Sequence, residues 1–231
     1  MKLKIALIGT GGVACNNYAP FLSKQPDVEL LYYSRTLAKA EVCARQHGGT
    51  AFGSLPELCK QDPDSVLILT RETQRYEAAL AVLAHRPKRI FFEKPLVAQK
   101  GQAEVTEDDF TKGQEIMKAA TELGIETAMV FNYRFFEQSM AARKMIADRN
   151  LGQPTSITAL VHYACWSHCL DLIRWLAGPL REITALAGGQ THEGAGMKTH
   201  DVAVAFATVD GAAGTGQGTC GLGWNFPLFE I

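Results

Sequence analysis

The sequence predicts an α/β protein: a doubly wound parallel sheet covered by helices, followed by a second α/β region on a largely antiparallel, open and incomplete sheet. Three observations carry this expectation. Short apolar runs alternate with helical patterns through the first half of the chain. Those runs are apolar at consecutive positions, as strands buried on both faces are. After about residue 128 the alternation gives way to successive strand-like runs joined by glycine-rich turns, the pattern of an antiparallel sheet. The expected domains are therefore 1–127 and 128–231.

The elements follow in order. LKIALI (3–8) reads as a strand and 12–23 as a helix. VELLYY (28–33) is a strand, and LAKAEVCARQ (37–46) is helical. Ser54, with Glu57 three residues on, has the spacing of a capping box and opens a short helix. SVLILT (65–70) is a strand, RYEAALAVLAH (75–85) a helix and RIFFE (89–93) a strand. Thr106 and Asp109 cap a helix that runs through Leu123, and TAMVF (127–131) is a strand. In the second region a helix spans 136–149 and TSITALVHY (155–163) is a strand. CLDLIRWLA (169–177) is an amphipathic helix that stops at Gly178-Pro179. REITALA, HDVAVAFATV and AAGTGQGTC are three further strands. The chain closes on FPLFEI, apolar and strand-like. An open edge of that composition favours association with another chain, so a homo-oligomer through the C-terminal sheet is expected.

Composition narrows the function classes. Lys plus Arg number 23 and Asp plus Glu 24 in 231 residues, a net charge of −1. This balance gives no footprint for nucleic acid or an anionic membrane. No apolar run reaches the length of a membrane-spanning helix. The basic start of MKLKIALIG leads into glycines, not a cleavage site, and reads as the first strand. The six cysteines form no CxxC pair, and a chain of this size needs no disulfides, so reduced thiols and a cytoplasmic location are expected. His162, Cys165, His168 and Cys169 lack an established zinc spacing and read as a buried thiol cluster; no metal is expected.

The first strand ends in Gly9-Thr10-Gly11-Gly12-Val13-Ala14, which fits G-x-G-x-x-[GA]. Glycines there permit a tight turn and let backbone N–H groups approach a pyrophosphate, while the following helix N-terminus favours its charge. The motif follows a strand and opens a helix, the context of a Rossmann dinucleotide site. After the second strand an acid normally grips the ribose 2′-hydroxyl. Ser34, Arg35 and Thr36 stand there instead. Two hydroxyl donors and a guanidinium suit a 2′-phosphate. NADP is thus expected, with NAD the alternative.

The stretch FFEKPL (91–96) places Glu93, Lys94 and Pro95 at the carboxyl end of a buried strand, where ligands of doubly wound sheets sit. Pro95 can fix a sharp, even cis, turn. Beside a positive nicotinamide a neutral Lys94 amine would be favoured, suited to acid–base or oxygen-polarising duty. The pattern alone leaves open a surface ion pair at a loop start.

GTGGVA, SRT, FFEKPL, FNYRFF (131–136) and WSHCLDLIRWLAG (166–178) occur here in the order and register of one family. The chain resembles the glucose–fructose oxidoreductase, inositol dehydrogenase and rhizopine-catabolism (Gfo/Idh/MocA) family over essentially its whole length. The resemblance implies NAD(P)-linked hydride transfer to or from a sugar- or cyclitol-like hydroxyl or carbonyl. By it, Lys94 contacts the reacting oxygen and, as a member of the cofactor set, helps place the nicotinamide, and His168 meets the substrate and transfers the proton. Asn132 and Arg134 meet cofactor and substrate, and Thr70, Glu93 and Pro95 join the cofactor set. Read from the residues alone, His168 is a capped or buried core histidine, and Asp171 is equally a helix-start charge, an ion-pair partner or a catalytic acid. Tyr133 and Phe135 read as packing residues.

The chain departs from the family pattern in places. Ala164 stands where many members carry an aspartate, and YACWS replaces a glycine-rich approach to the histidine. Arg71 follows Thr70 in place of a proline, and Arg75 takes the place of a later histidine. The chain is also shorter than typical members. These departures keep two rivals open: a non-catalytic NAD(P)-binding sensor or partner subunit, or a fragment of a longer oxidoreductase. A third is a reductase of non-sugar carbonyls or imines.

Overall fold

The computed structural model describes residues 2–162, 165–194, 197–219 and 229–230. The chain divides into two compact units, Met1–Val130 and Phe131–Ile231.

The first unit is built on six parallel strands: β1 (Leu3–Ile8), β2 (Val28–Tyr33), β3 (Thr50–Phe52), β4 (Ser65–Ile68), β5 (Arg89–Phe92) and β6 (Glu126–Met129). Their order is β3-β2-β1-β4-β5-β6, with every pair parallel. The order reverses between β1 and β4, which makes the crevice beyond their carboxyl ends the natural ligand position. Both faces are buried, and the side-chain period of two divides each strand between them. Ala6, Ile8, Leu31, Val66, Ile68, Ile90 and Phe92 enter one core with Val82 and Ile116. Ile5, Leu7, Leu30, Tyr32 and Leu67 enter the other with Ala40 and Cys43.

The helices of this unit are α1 (Ala19–Leu22), α2 (Leu37–His47), α3 (Leu55–Cys59), α4 (Glu72–Leu83) and α5 (Glu107–Glu122). A π-helical stretch, Ala14–Tyr18, leads directly into α1. At α3 the Ser54 hydroxyl accepts the Glu57 N–H at 3.3 Å. At α5 the capping box is reciprocal: Thr106 caps the N–H of Asp109, and the Asp109 carboxylate accepts the Thr106 N–H at 2.9 Å.

Several boundaries differ from expectation. The three-residue β3 lies between Gly48-Gly49 and Gly53 and is too short to leave a periodic signal. β4 stops at Ile68, and α4 opens at Glu72, ahead of Arg75.

The second unit opens with a 3₁₀ turn, Asn132–Phe135, in place of a continued strand. Then come α6 (Glu137–Asp148), β7 (Ser156–His162), α7 (Trp166–Ala177), β8 (Leu180–Gly194), β9 (Met197–Thr208), β10 (Ala213–Thr219) and β11 (Phe229–Glu230). The sheet order is β11-β7-β10-β9-β8. All pairs are antiparallel except β7 with β10, which is parallel. Helix α7 begins at Trp166, three residues before the expected start, and packs Cys169 and Ile173 against Val161, Val204 and Phe206. Gly218 makes room for it: a Cβ there would lie 2.3 Å from the Trp166 indole nitrogen. Of FPLFEI only 229 and 230 are described, and they pair with β7. Ala164 and Cys220 lie outside the described residues.

Candidate functional site

At the carboxyl end of β1 the chain turns through Gly9, whose φ is +95°. A Cβ at this position would lie 2.9 Å from the Thr70 nitrogen, so only glycine lets the ends of β1 and β4 pass this closely. Gly11 is the opposite case: nothing lies within 4 Å of where its Cβ would stand. Together they leave a backbone turn with open space above it, as a pyrophosphate cradle requires. The turn opens into a cavity of about 1180 Å³, large enough for a dinucleotide.

Gly9, Thr10, Gly11 and Gly12 line this cavity, and so do Ser34, Arg35, Thr36 and Thr70. These eight members of the sequence-based cofactor set thus come from three strand ends. Lys39 and Arg71 also line it and were not singled out for cofactor binding from the sequence. Lys39 is the third residue of α2, immediately beyond Ser34-Arg35-Thr36. It adds a cation to the wall where a 2′-phosphate is expected, and its spacing from Arg35 was the available signal. Val13 is 44% exposed and does not line the cavity. It already has helical backbone angles, beyond the turn itself.

Glu93, Lys94 and Pro95 follow β5 on the same edge of the sheet but do not line this cavity. Their turn is held from several sides. The Lys94–Pro95 peptide is cis. The Glu93 carboxylate accepts the Tyr18 hydroxyl at 2.9 Å and the Lys94 N–H at 2.9 Å. Burial, and then the Glu93 charge, push the Tyr18 phenol above its usual range, so it stays a donor. Arg75 is buried and donates to both the Pro95 and the Thr70 carbonyls. One guanidinium therefore ties the end of β4 to the Lys94 turn. Burial lowers its pKa from the usual value, and the Glu93 and Glu72 charges oppose that shift. Lys94 is half-buried.

In the second unit His168 lies in the first turn of α7 and is buried. Its ring stacks on Tyr133, with centroids 4.0 Å apart and planes at 11°. Phe131 meets it edge-on at 5.8 Å. Tyr133 in turn stacks on Phe136 and lies 3.7 Å from the Cys165 sulfur. Arg134 turns to the same helix: its Nε and Nη2 donate to the two Asp171 oxygens at 2.6 and 2.5 Å. Asp171 is therefore an ion-pair partner. Asn132 is exposed at the start of the 3₁₀ turn. Phe135, expected to pack, is 76% exposed, because the 3₁₀ turn buries Tyr133 and sends the alternate residue outward. Among the described residues no group of three or more His, Cys, Asp or Glu is placed to hold a metal ion. Nor is any helix there long and apolar enough to cross a membrane.

Comparison with known proteins agrees with this architecture. The chain is 27% identical over 161 residues to glucose-6-phosphate 3-dehydrogenase of Bacillus subtilis, which covers 69% of the chain and 42% of that protein. It is 26% identical over 166 residues to D-glucoside 3-dehydrogenase of Escherichia coli, covering 71% of the chain and 44% of the relative. The chain thus spans less than half the length of these curated relatives. The solved WlbA dehydrogenase of Bordetella pertussis, in complex with NADH and UDP-GlcNAcA, shares the fold with a TM-score of 0.77 at 18% identity. That match covers 97% of the chain and 72% of the solved one. Residues 3–127 match the model of the GFO_IDH_MocA oxidoreductase family with its NAD-binding Rossmann fold, and the chain belongs to that family.

Proposed function

We propose that the protein is an NADP-preferring oxidoreductase acting on a hydroxyl or carbonyl of a sugar-like substrate. The observation that carries the reading is one cavity lined by both the Gly9–Gly12 turn and Ser34-Arg35-Thr36, with Lys39 beside them. The glycine turn suits a pyrophosphate, and the cations and hydroxyls suit a 2′-phosphate that a ribose-gripping acid would repel. The names of the two curated relatives support a sugar ring hydroxyl as the substrate group.

A bound nicotinamide supplies the hydride acceptor or donor. The chain's own residues bind and orient. In this reading Lys94, held by the Glu93–Tyr18 and Arg75 contacts around its turn, stabilises the substrate oxygen as charge develops on it. His168, aligned by the Tyr133 face, relays the proton, and Asn132 and Arg134 meet the substrate. Val13 and the Glu93–Pro95 turn complete the cofactor surroundings. The outer face of the second sheet, where Leu186 is 73% exposed, is proposed to receive a second copy of the chain. Light scattering that shows only monomer at high concentration would remove that feature. Free thiols at Cys15, Cys43, Cys59, Cys165 and Cys169 support a reducing, cytoplasmic setting.

A second reading, nucleotide binding without turnover, draws on Arg75. This guanidinium is committed to two carbonyls and cannot exchange protons as a histidine there could. Fluorescence titration of the chain with NADPH and with NADH tests the shared foundation. Saturable NADPH binding with weaker NADH is expected; binding of neither would sink both readings. Oxidation of NADPH with any member of a sugar-carbonyl panel then separates turnover from binding alone.

A further inference from the structure

Two thiols meet behind the glycine turn. Cys15 lies in the π-helical stretch that follows the turn, and Cys43 lies in α2. Their sulfurs are 2.7 Å apart. A disulfide needs about 2.05 Å, so bond formation asks for a shift of well under an ångström. The two sulfurs differ in access. Cys43 is fully buried, in the core that also holds Ala14 and Tyr32. Cys15 is only partly buried and lines the nucleotide cavity. Its sulfur also reaches back to the Thr10 carbonyl of the turn at 3.5 Å. Burial, and then the neighbouring Cys15 sulfur, push the Cys43 thiol up to about 12. Cys15 is thus the thiol an oxidant meets first, and the cavity is its route.

We propose that Cys15 and Cys43 form a reversible disulfide site that opens onto the nucleotide cavity and is guarded by whatever nucleotide fills it. The guarding half rests on the nucleotide reading above; the disulfide half does not. The oxidant class is a low-molecular-weight disulfide. The Cys15 thiolate, its proton released to solvent, attacks one sulfur of that molecule, forms a mixed disulfide and expels one thiolate. The Cys43 sulfur, on losing its proton, attacks the Cys15 sulfur and expels the second thiolate. Each expelled thiolate takes up one proton. Two protein thiols and one disulfide become one protein disulfide and two small thiols, with two electrons passing to the oxidant. The product joins the segment after the glycine turn to α2, the helix carrying Lys39, and withdraws the Cys15 S–H from the Thr10 carbonyl.

The test is oxidised glutathione added to the reduced chain, followed by peptide mass mapping without reductant. A linked pair of peptides carrying Cys15 and Cys43, lost on adding dithiothreitol, is expected. Cys43→Ser should leave Cys15 as a stable glutathione adduct, and Cys15→Ser should remove both species. A wild-type chain that carries glutathione on Cys15 without the Cys43 link, or that leaves both thiols unmodified, would overturn the site. NADPH at ten times its own Kd should slow the cross-link about tenfold by mass action. An unchanged rate while titration shows NADPH bound would overturn the guarding. An unchanged rate with no NADPH binding would overturn the nucleotide reading and with it the guarding, and leave the mapped disulfide site standing.

Discussion

The Arg134 guanidinium and the Asp171 carboxylate form a two-point fork, with Nε to Oδ2 at 2.6 Å and Nη2 to Oδ1 at 2.5 Å. The fork fastens the 3₁₀ turn Asn132–Phe135 to helix α7, the two segments that also supply the stacked Tyr133 and His168 rings. The Asp171 side chain is 6% exposed and that of Arg134 36%, so the pair is shielded on one side only. Hydrogen bonding to Asp171 holds the Arg134 guanidinium firmly charged. Asp171→Asn leaves that charge facing a neutral amide. A loss of about 2 kcal/mol is expected, below the cost of breaking a fully buried pair. Urea midpoints check it, and Arg134→Met should cost little more once Asp171 is gone. Additive losses would mean that the fork is not the coupling element.

Arg35 is exposed on the cavity wall. Its proposed partner is the 2′-phosphate, which NADH lacks. Arg35→Ala should therefore weaken NADPH by about tenfold, the scale of one solvent-facing charge-assisted contact, and leave NADH unchanged. An equal loss for both nucleotides would assign Arg35 to adenine stacking alone.

Lys94 lies outside the nucleotide cavity. Lys94→Ala is expected to reduce kcat at least about 100-fold, as loss of an oxygen-stabilising group does. The NADPH Kd should stay near wild type. Activity equal to wild type would remove Lys94 from the mechanism. A Kd that rises in step with the loss of kcat would make it a cofactor ligand instead.

The parallel sheet was legible because its central strands β1, β2, β4 and β5 carry apolar residues on both faces, and the glycine turn because its spacing has only a few structural uses. Ser34-Arg35-Thr36 could be placed because β2 ends at Tyr33. Arg75 was visible only as a departure from a family pattern. Its tie from Thr70 to Pro95 joins residues 25 positions apart, and no local periodicity records it. The Cys15–Cys43 contact is of the same kind: the sulfurs meet because the segment after β1 and helix α2 pack on one face of the sheet. The β7–β10 parallel pair was missed because strand patterns show which residues alternate, not which neighbour a strand chooses.

Asp109 offers a pH test with a definite sign. Its carboxylate accepts the N–H groups of Gln99 and Thr106, each at 2.9 Å, and these backbone bonds hold it below the usual carboxylate range. A carboxyl whose folded pKa is depressed stabilises the fold above the unfolded value, about 3.9 for aspartate, and loses that contribution as pH falls through the folded value. Asp109→Asn keeps the shape but has no charge to favour. At pH 7 the variant should therefore be less stable than the wild type. The gap should begin to close near pH 4 and disappear at lower pH. Asp64 and Asp108 are shifted in the same direction, so the wild type loses stability from several groups at once in acid. Only the difference between the two chains isolates Asp109. Urea midpoints at pH 7 and at pH 3 measure it, and a gap that stays constant would show that these two N–H bonds do not select the charged carboxylate.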